Sequence, residues 1–295
     1  MIVDYHGITT PFDPQKYQEQ VMEVAMEYLA AGIDPKKSLL VRQSQIPQHT
    51  ELAWIFNTIT PVGWLDRLPT YKEKQNQIEE SDNPKRESWK NNMGILDYPV
   101  LMAADILIYK ANLVPVGDDQ KIHIDIANEI HKKFNSMFGK TFERVEWPIL
   151  KGSRIMSLQD PNKKMSKTGD EGIALTDPSD EIRRKVKKAV TDSRKEIKYA
   201  EKEKPAISNL LTIYSLLSGK KIEDIEEEYD GKTYVDFKND LAEVIIEFLA
   251  PFQKKYNELK NNLDEVKKIL EASEEKARTE AQKTLNEVKQ KIGVL

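Results

Sequence analysis

Apolar residues follow two rhythms along the first third of the chain. Ile2-Val3, Ser38-Leu39-Leu40-Val41 and Leu113-Val114-Pro115-Val116 are short runs of strand length, with Pro115 marking an edge or end. Longer stretches of helical spacing lie between them. Asp13-Pro14 offers a helix start, with Asp at the cap and Pro in the first turn. Val21, Val24, Ala25, Tyr28 and Leu29 then share one face, and Gly32 closes the run. His49 to Ile59, Tyr98 to Ala111 (Pro99 in its first turn) and Asp118 to Phe138 read as further helices. Strands alternating with helices predict a parallel sheet with covering helices. Residues 69–93 break the pattern: polar, rich in Lys, Glu and Asn, they read as a mobile insertion.

After about residue 176 the strand signals stop. Pro178, Pro205 and Pro251 each fall near the expected start of a helical run. Ile207 to Leu217 is apolar and closes at Gly219, Leu241 to Leu249 is a second apolar helix, and Glu265 to Ile292 is rich in Ala, Glu, Lys and Leu without a strict heptad. The expected division is an α/β domain over 1–176 and an all-helical domain over 177–295.

Composition narrows the function classes. Among 295 residues, 39% are hydrophobic and 32% charged, a globular balance. No apolar run approaches the ~20 residues of a membrane span, and the N-terminus lacks the layout of a signal peptide. There is no cysteine, which excludes disulfides, thiolate metal sites and a cysteine nucleophile and fits a cytoplasmic protein. A net charge of −4 argues against general nucleic-acid affinity, though a local basic face could bind RNA. Four histidines show no metal-ligand spacing, so no metal site is expected; His6 follows the first strand, at the end where ligands bind. Neither G-x-S-x-G nor G-x-G-x-x-G occurs, so hydrolase and dinucleotide readings lack their main signal.

Four segments could carry chemistry. Tyr98, Met102, Asp105 and Tyr109 step by four, three and four and so share one helix face, otherwise apolar. An aspartate there is costly unless paired. It either accepts a hydrogen bond from a ligand or is satisfied within the protein, and the helix by itself favours the second reading. Val116-Gly117-Asp118-Asp119-Gln120 lies at a strand-to-helix turn, where ligands gather in parallel sheets; a carboxylate there either binds ribose hydroxyls or caps the helix. Lys163-Lys164-Met165-Ser166-Lys167 follows the turn signal Asp160-Pro161-Asn162. Its ammonium groups suit a polyphosphate leaving group, while an ordinary solvated loop is the plainer reading. From Glu181 to Lys204 there are ten Lys or Arg against five acids, a run better read as a solvated helix face than as an RNA surface.

Together these segments resemble the bacterial-type tryptophanyl-tRNA synthetase family, class I aminoacyl-tRNA synthetases. The matching words are IVDYHGITTPFDP (2–14), YLAAGIDP (28–35), ELAWIFNTITPVGWLDR (51–67), YPVLMAADILIYKANLVPVGDDQKIH (98–123), RIMSLQDPNKKMSK (154–167), AVTDS (189–193) and KPAISNLLTIYSLLSG (204–219). The 98–123 block followed by KMSK favours the tryptophan enzymes over their tyrosine relatives.

The resemblance implies a Rossmann-like doubly wound parallel sheet, lacking its first strand, followed by a helical tRNA/anticodon-binding domain. It implies ATP-dependent activation of L-tryptophan to tryptophanyl-adenylate, then transfer to tRNA(Trp). Asp105 would accept the indole N–H, with Met102, Val114 and Val116 shaping the slot and His6 near the ring. Tyr98 and Gln120 would hold the α-amino end. Gly117, Asp118 and Asp119 would contact the ATP ribose, and Ile155 and Met165 would flank adenine. Lys74, Lys164 and Lys167 would hold phosphates, with Ser166 and Thr168 in the same loop (164–168). An unpaired buried Asp105 would also explain selectivity, since an analogue without the N–H would leave it unsatisfied. Mg²⁺ would come with ATP, and a homodimer is implied.

Two departures from the family pattern matter. The family loop reads KMSKS, and here its fifth residue is Thr168. Members also begin with a strand, a Pro- and Gly-containing turn and a HIGH-type motif, and no such segment precedes Ile2. The chain as given is therefore expected to activate tryptophan at least ~10²-fold less well than its relatives, by analogy with losing one preorganised donor. It is also expected to expose an apolar edge. The competing readings are a catalytically inactive, synthetase-like tryptophan- or RNA-binding protein, and the tyrosine-specific sibling.

Overall fold

The computed structural model describes residues 1–69, 71, 89, 92–117, 120–148, 155–165, 169–192 and 196–295. The chain forms two compact units, one of residues 1–150 with 262–295 and the other of residues 151–261. The expected functional division at 176/177 cuts elsewhere.

The first unit contains helices α1 (Asp4–Gly7), α2 (Tyr17–Ala30), α3 (Gln48–Asn57), α4 (Val62–Asp66), α5 (Met93–Leu107), α6 (Lys121–Phe138) and α11 (Leu263–Ile292). The second contains α7 (Ser179–Lys188), α8 (Pro205–Ser218), α9 (Ile222–Glu228) and α10 (Tyr234–Lys260). The three expected strands are not extended strands among the described residues. Among the described residues, parallel pairing is limited to two bridges, Ile2 with Arg42 and Leu113 with Glu146. The reason is local. Ile2-Val3 gives way to α1 after two residues, and Pro115 has no N–H for a ladder. The bridges are nonetheless well made: Ile2 N donates to Val41 O at 2.7 Å and Gln43 N to Ile2 O at 2.9 Å.

Several helix boundaries move from their expected positions. Asp13 caps a turn rather than a helix, its Oδ1 accepting from Gln15 N at 3.0 Å, and α2 begins at Tyr17. It ends as expected: Gly32 has φ +103°, Gly32 N donates to Leu29 O and Ile33 N to Tyr28 O. Tyr28 is exposed rather than on the buried face; with Met1, Ile2, Val3, Tyr17, Val21 and Val24 it borders an apolar groove of about 230 Å³. Helix α5 starts five residues before Tyr98, because Asn92 Oδ1 accepts from Ile95 N at 3.0 Å. Pro99 thus lies inside that helix, which lacks one rung there. Helix α6 starts at Lys121, not Asp118. Pro251 lies inside α10, which begins seventeen residues earlier at a Thr233–Asp236 capping box.

The first core joins α3, α5, α6 and α11. Phe56, Phe134 and Phe142 are buried edge to face at its centre, with ring centroids 5.2 to 6.1 Å apart. Helix α11 contributes Ala277, Ala281, Leu285 and Val288, and its two alanines let it sit close. It is locked by Glu274, buried on α11, which accepts from Arg42 Nε at 2.7 Å and Nη2 at 3.0 Å. The second core centres on Tyr214, Tyr229 and Phe237 with Leu210, Leu211 and Leu241. Phe134→Ala should lower the stability of the first unit by about 3–5 kcal/mol, as truncation of a buried aromatic does. Urea unfolding followed by tryptophan fluorescence measures it.

Candidate functional site

The charge on Asp105 organises the first unit. Its helix carries a face of Val100, Ala103, Ala104 and Leu107 into the core, which leaves Asp105 only 6% exposed. Donors come from three other segments. Gln43 Nε2 reaches Oδ1 at 2.9 Å and Oδ2 at 2.8 Å. His49 Nδ1 reaches Oδ1 at 2.5 Å, and His6 Nε2 reaches Oδ2 at 2.9 Å. Asp105 is therefore satisfied within the protein, as its helix face favoured, and not the unpaired buried carboxylate that the family resemblance implied: each oxygen already accepts two contacts. Burial by itself would push this carboxyl up; hydrogen bonds from His49 and His6 outweigh it and hold the group below its ordinary value of 3.8.

Each donor is positioned by its own local structure. Helix α1 has only one turn, and external bonds hold it. Ser44 N and Oγ donate to the Asp4 carboxylate at 2.9 and 2.5 Å, and Tyr17 OH donates to Asp4 O at 2.5 Å. Gly7 closes this packing, since a Cβ there would lie 2.0 Å from the Tyr17 hydroxyl. His6 is aimed at Asp105 from that turn. Gln43 follows the Ile2–Arg42 bridge directly, and its Oε1 accepts from Tyr5 N at 3.1 Å. His49 is fully buried in the first turn of α3. An ionised carboxylate only accepts, so His49 Nδ1 donates to it, and Nε2 pairs with the Tyr109 hydroxyl at 2.8 Å. Burial, with the Asp105 charge nearby, pushes the Tyr109 phenol up.

The expected tryptophan-site residues divide by place. Asp105, His6 and Tyr98 come together: the His6 and Tyr98 rings meet edge-on at 6.1 Å, and Tyr98 OH pairs with His123 Nε2 at 2.8 Å. Met102, Val114 and Val116 are half-buried against the same core. Gln120 precedes α6, its N donating to Gly117 O at 2.9 Å, and Gly117 is exposed. Sequence reasoning missed Gln43 and the roles of His49 and Tyr109. The signal for Gln43 was its place just past an apolar run, matching that of His6.

The remaining residues belong to the second unit. Residues 155–165 form a hairpin with an antiparallel bridge between Met156 and Lys164. Met165 N donates to Ile155 O at 3.1 Å, so the two residues expected at adenine are cross-strand neighbours, both packed on the second core. Lys164 is exposed. Lys74, Asp118, Asp119, Ser166, Lys167 and Thr168 lie outside the described residues, as does most of the expected insertion 69–93. The basic run is largely committed to intrachain pairs. Arg183 binds Glu243 and Asp180, Arg184 binds Asp170 and Glu181, and Lys185 binds Asp177. Among the described residues no group of three or more His, Asp or Glu side chains could hold a metal ion, and no helix is long and apolar enough to cross a membrane.

Comparison with known proteins sets these residues in context. The family described as tRNA synthetases class I (W and Y) matches residues 1–250. A tryptophan–tRNA ligase of Bacillus anthracis is 44% identical over 262 residues, 87% of this chain and 76% of that protein. The crystal structure of tryptophanyl-tRNA synthetase from Mycoplasma pneumoniae is similar with a TM-score of 0.84 and 31% identity, over 99% of this chain and 86% of that one. The enzyme of Campylobacter jejuni, in a complex with ADP and tryptophan, also gives 0.84, with 30% identity over 99% and 88%.

The Asp105 carboxyl is depressed, so the sign of its pH linkage follows. Its contribution to stability is complete above the unfolded value of 3.8 and is lost as pH falls through the lower folded value. At pH 7, Asp105→Ala should cost about 3–5 kcal/mol, because it leaves buried donors unpaired. That gap should stay level down to about pH 4, the unfolded aspartate value, and narrow below it. Urea titrations of both proteins across this range test it; a gap that narrows already between pH 7 and 5 would refute it.

Proposed function

Since the chain belongs to the class I tRNA synthetases of the tryptophan and tyrosine group, we propose that this aminoacyl-tRNA synthetase is a tryptophan–tRNA ligase. It joins L-tryptophan to ATP, giving tryptophanyl-adenylate and pyrophosphate, and then transfers the amino acid to tRNA(Trp). The observation that carries the substrate is the buried, ionised Asp105 beside His6, Tyr98 and Met102: a charged acceptor at an aromatic-lined place suits an indole N–H. The wider reading adds an open Rossmann-like parallel sheet, with Val114 and Val116 on the indole and Gln120 at the α-amino group. Gly117, Asp118 and Asp119 take the ribose, Ile155 and Met165 the adenine. Lys74, Lys164 and Lys167 stabilise the charge that develops on the leaving pyrophosphate, with Ser166 and Thr168 beside them. Mg²⁺ comes with ATP, residues 177–295 carry the tRNA-binding surface, and the enzyme works as a cytoplasmic homodimer.

The saturated carboxylate changes how selectivity works. Tryptophan gains the Asp105 contact only if Gln43 or His6 yields one of its own. An analogue lacking the N–H then leaves Asp105 with its present partners rather than bare. The penalty is at most one charge-assisted hydrogen bond, about 1.5–3 kcal/mol, since the analogue leaves the Gln43 or His6 bond in place, and not the ~10⁴–10⁵-fold rejection of a site left unsatisfied. The benzothiophene isostere of tryptophan should therefore bind no more than about 150-fold more weakly, at 1.4 kcal/mol per tenfold. Isothermal calorimetry with tryptophan, the isostere and tyrosine decides the matter. Tyrosine binding more tightly than tryptophan would overturn the substrate. Tryptophan binding without any tryptophan-dependent ATP–pyrophosphate exchange would favour the binding-protein reading.

A further inference from the structure

Residues 189–192 and 204–209 belong to the second unit. Both converge on the hairpin that carries Lys164. Within the hairpin, Ser157 N donates to Lys163 O at 2.8 Å and Met165 N to Ile155 O at 3.1 Å. Alternation along the strand then turns the N–H and C=O of Met156 outward, away from the partner strand. An outward strand edge needs a partner of its own. Asn209, 7% exposed on α8, supplies it: its Oδ1 accepts from Met156 N at 2.9 Å and its Nδ2 donates to Met156 O at 2.9 Å. One side chain thus meets a donor and an acceptor together, which the carboxamide can do and neither a carboxylate nor an apolar group can. The reciprocal pairing also fixes the orientation of the amide.

The surroundings hold Asn209 in place. Asp192 Oδ2 accepts from Ile207 N at 2.9 Å and so anchors the first turn of α8, two residues before Asn209. Val190 N donates to Leu158 O at 2.8 Å, a second tie to the same strand. Beyond the hairpin, Asp170 is gripped by Arg184 of α7 through both oxygens.

We propose that Asn209 is a positioning residue for Lys164: its amide acts as the strand partner of Met156 and fixes the hairpin root opposite Lys164. The inference rests on the phosphate-binding role given to Lys164 above. Asn209 touches no substrate and acts through the Met156–Lys164 bridge. Asn209→Leu removes both bonds at similar size. Asn209→Asp keeps the acceptor but sets a carboxylate oxygen against the Met156 carbonyl.

The test combines two readouts on the full chain. Amide hydrogen exchange at Met156, and tryptic cleavage after Lys163 and Lys164, should both accelerate on the order of tenfold in Asn209→Leu and less in Asn209→Asp, as a locally opened segment does. Inorganic pyrophosphate, titrated calorimetrically, should bind roughly tenfold more weakly to Asn209→Leu, because a displaced Lys164 loses its aim. Tryptophan affinity should stay within about twofold. In a Lys164→Ala background the same Asn209→Leu change should weaken pyrophosphate by less than about twofold, as expected for two residues acting as one. Equal losses in both backgrounds, or a parallel loss of tryptophan affinity with a falling Tm, would overturn the positioning role. Unchanged exchange and cleavage would overturn the anchor itself. A parent chain that binds no pyrophosphate removes the role of Lys164, and with it this role for Asn209, while leaving the anchor to be judged by cleavage.

Discussion

A buried negative charge is the constraint around which the first unit is built. An isolated carboxylate in an apolar core is prohibitively costly, and Asp105 is tolerated because donors arrive from three separate segments at positions 6, 43 and 49. The demand explains features that look unrelated. A one-turn helix is tied down by Ser44 and Tyr17 so that His6 points inward. A pair of very short strands meets so that Gln43 emerges beside it. The imidazole of His49 is buried completely, with Tyr109 occupying its second nitrogen. A charge satisfied this fully is also rigid, and a rigid acceptor discriminates among ligands by the direction of a hydrogen bond as well as by its presence.

Much of this was legible in the amino-acid order, and the parts that were not share a cause. Helical periodicity located α2, α3 and α8, and Gly32 and Gly219 marked where two of them stop. The face shared by Tyr98, Met102, Asp105 and Tyr109 was visible from spacing alone. What spacing cannot carry is a partner far along the chain. Gln43 lies 62 residues from Asp105, and its place just past an apolar run marks it as near a strand end without naming the carboxylate it will meet. Helix starts failed where a side-chain cap overrode a proline signal, as Asn92 does for α5 and Thr233 for α10. Among the described residues the strand runs at Ile2 and Leu113 pair only at single bridges, where an early helix or a proline ends them.

The second unit shows how a small number of side-chain-to-backbone bonds can replace secondary structure. The hairpin of residues 155–165 has a single bridge, too little to define a stable ribbon in isolation. Its definition comes from outside, through Asn209 and Val190 on the Met156–Leu158 edge and from the apolar seating of Ile155 and Met165.

The order of the chain has a consequence for how the protein is made. Residues 151–261 are threaded between two parts of the first unit, and α11, which follows them in the chain, fills that unit's core with Ala277, Ala281, Leu285 and Val288. Arg42 leaves the ribosome 232 residues ahead of the glutamate that will pair with it. During translation the intervening helical unit can reach a complete core while the first unit still lacks α11. The nascent chain must therefore carry an unfinished apolar face through the synthesis of the entire second unit, a window in which chaperone capture or misassociation competes with completion.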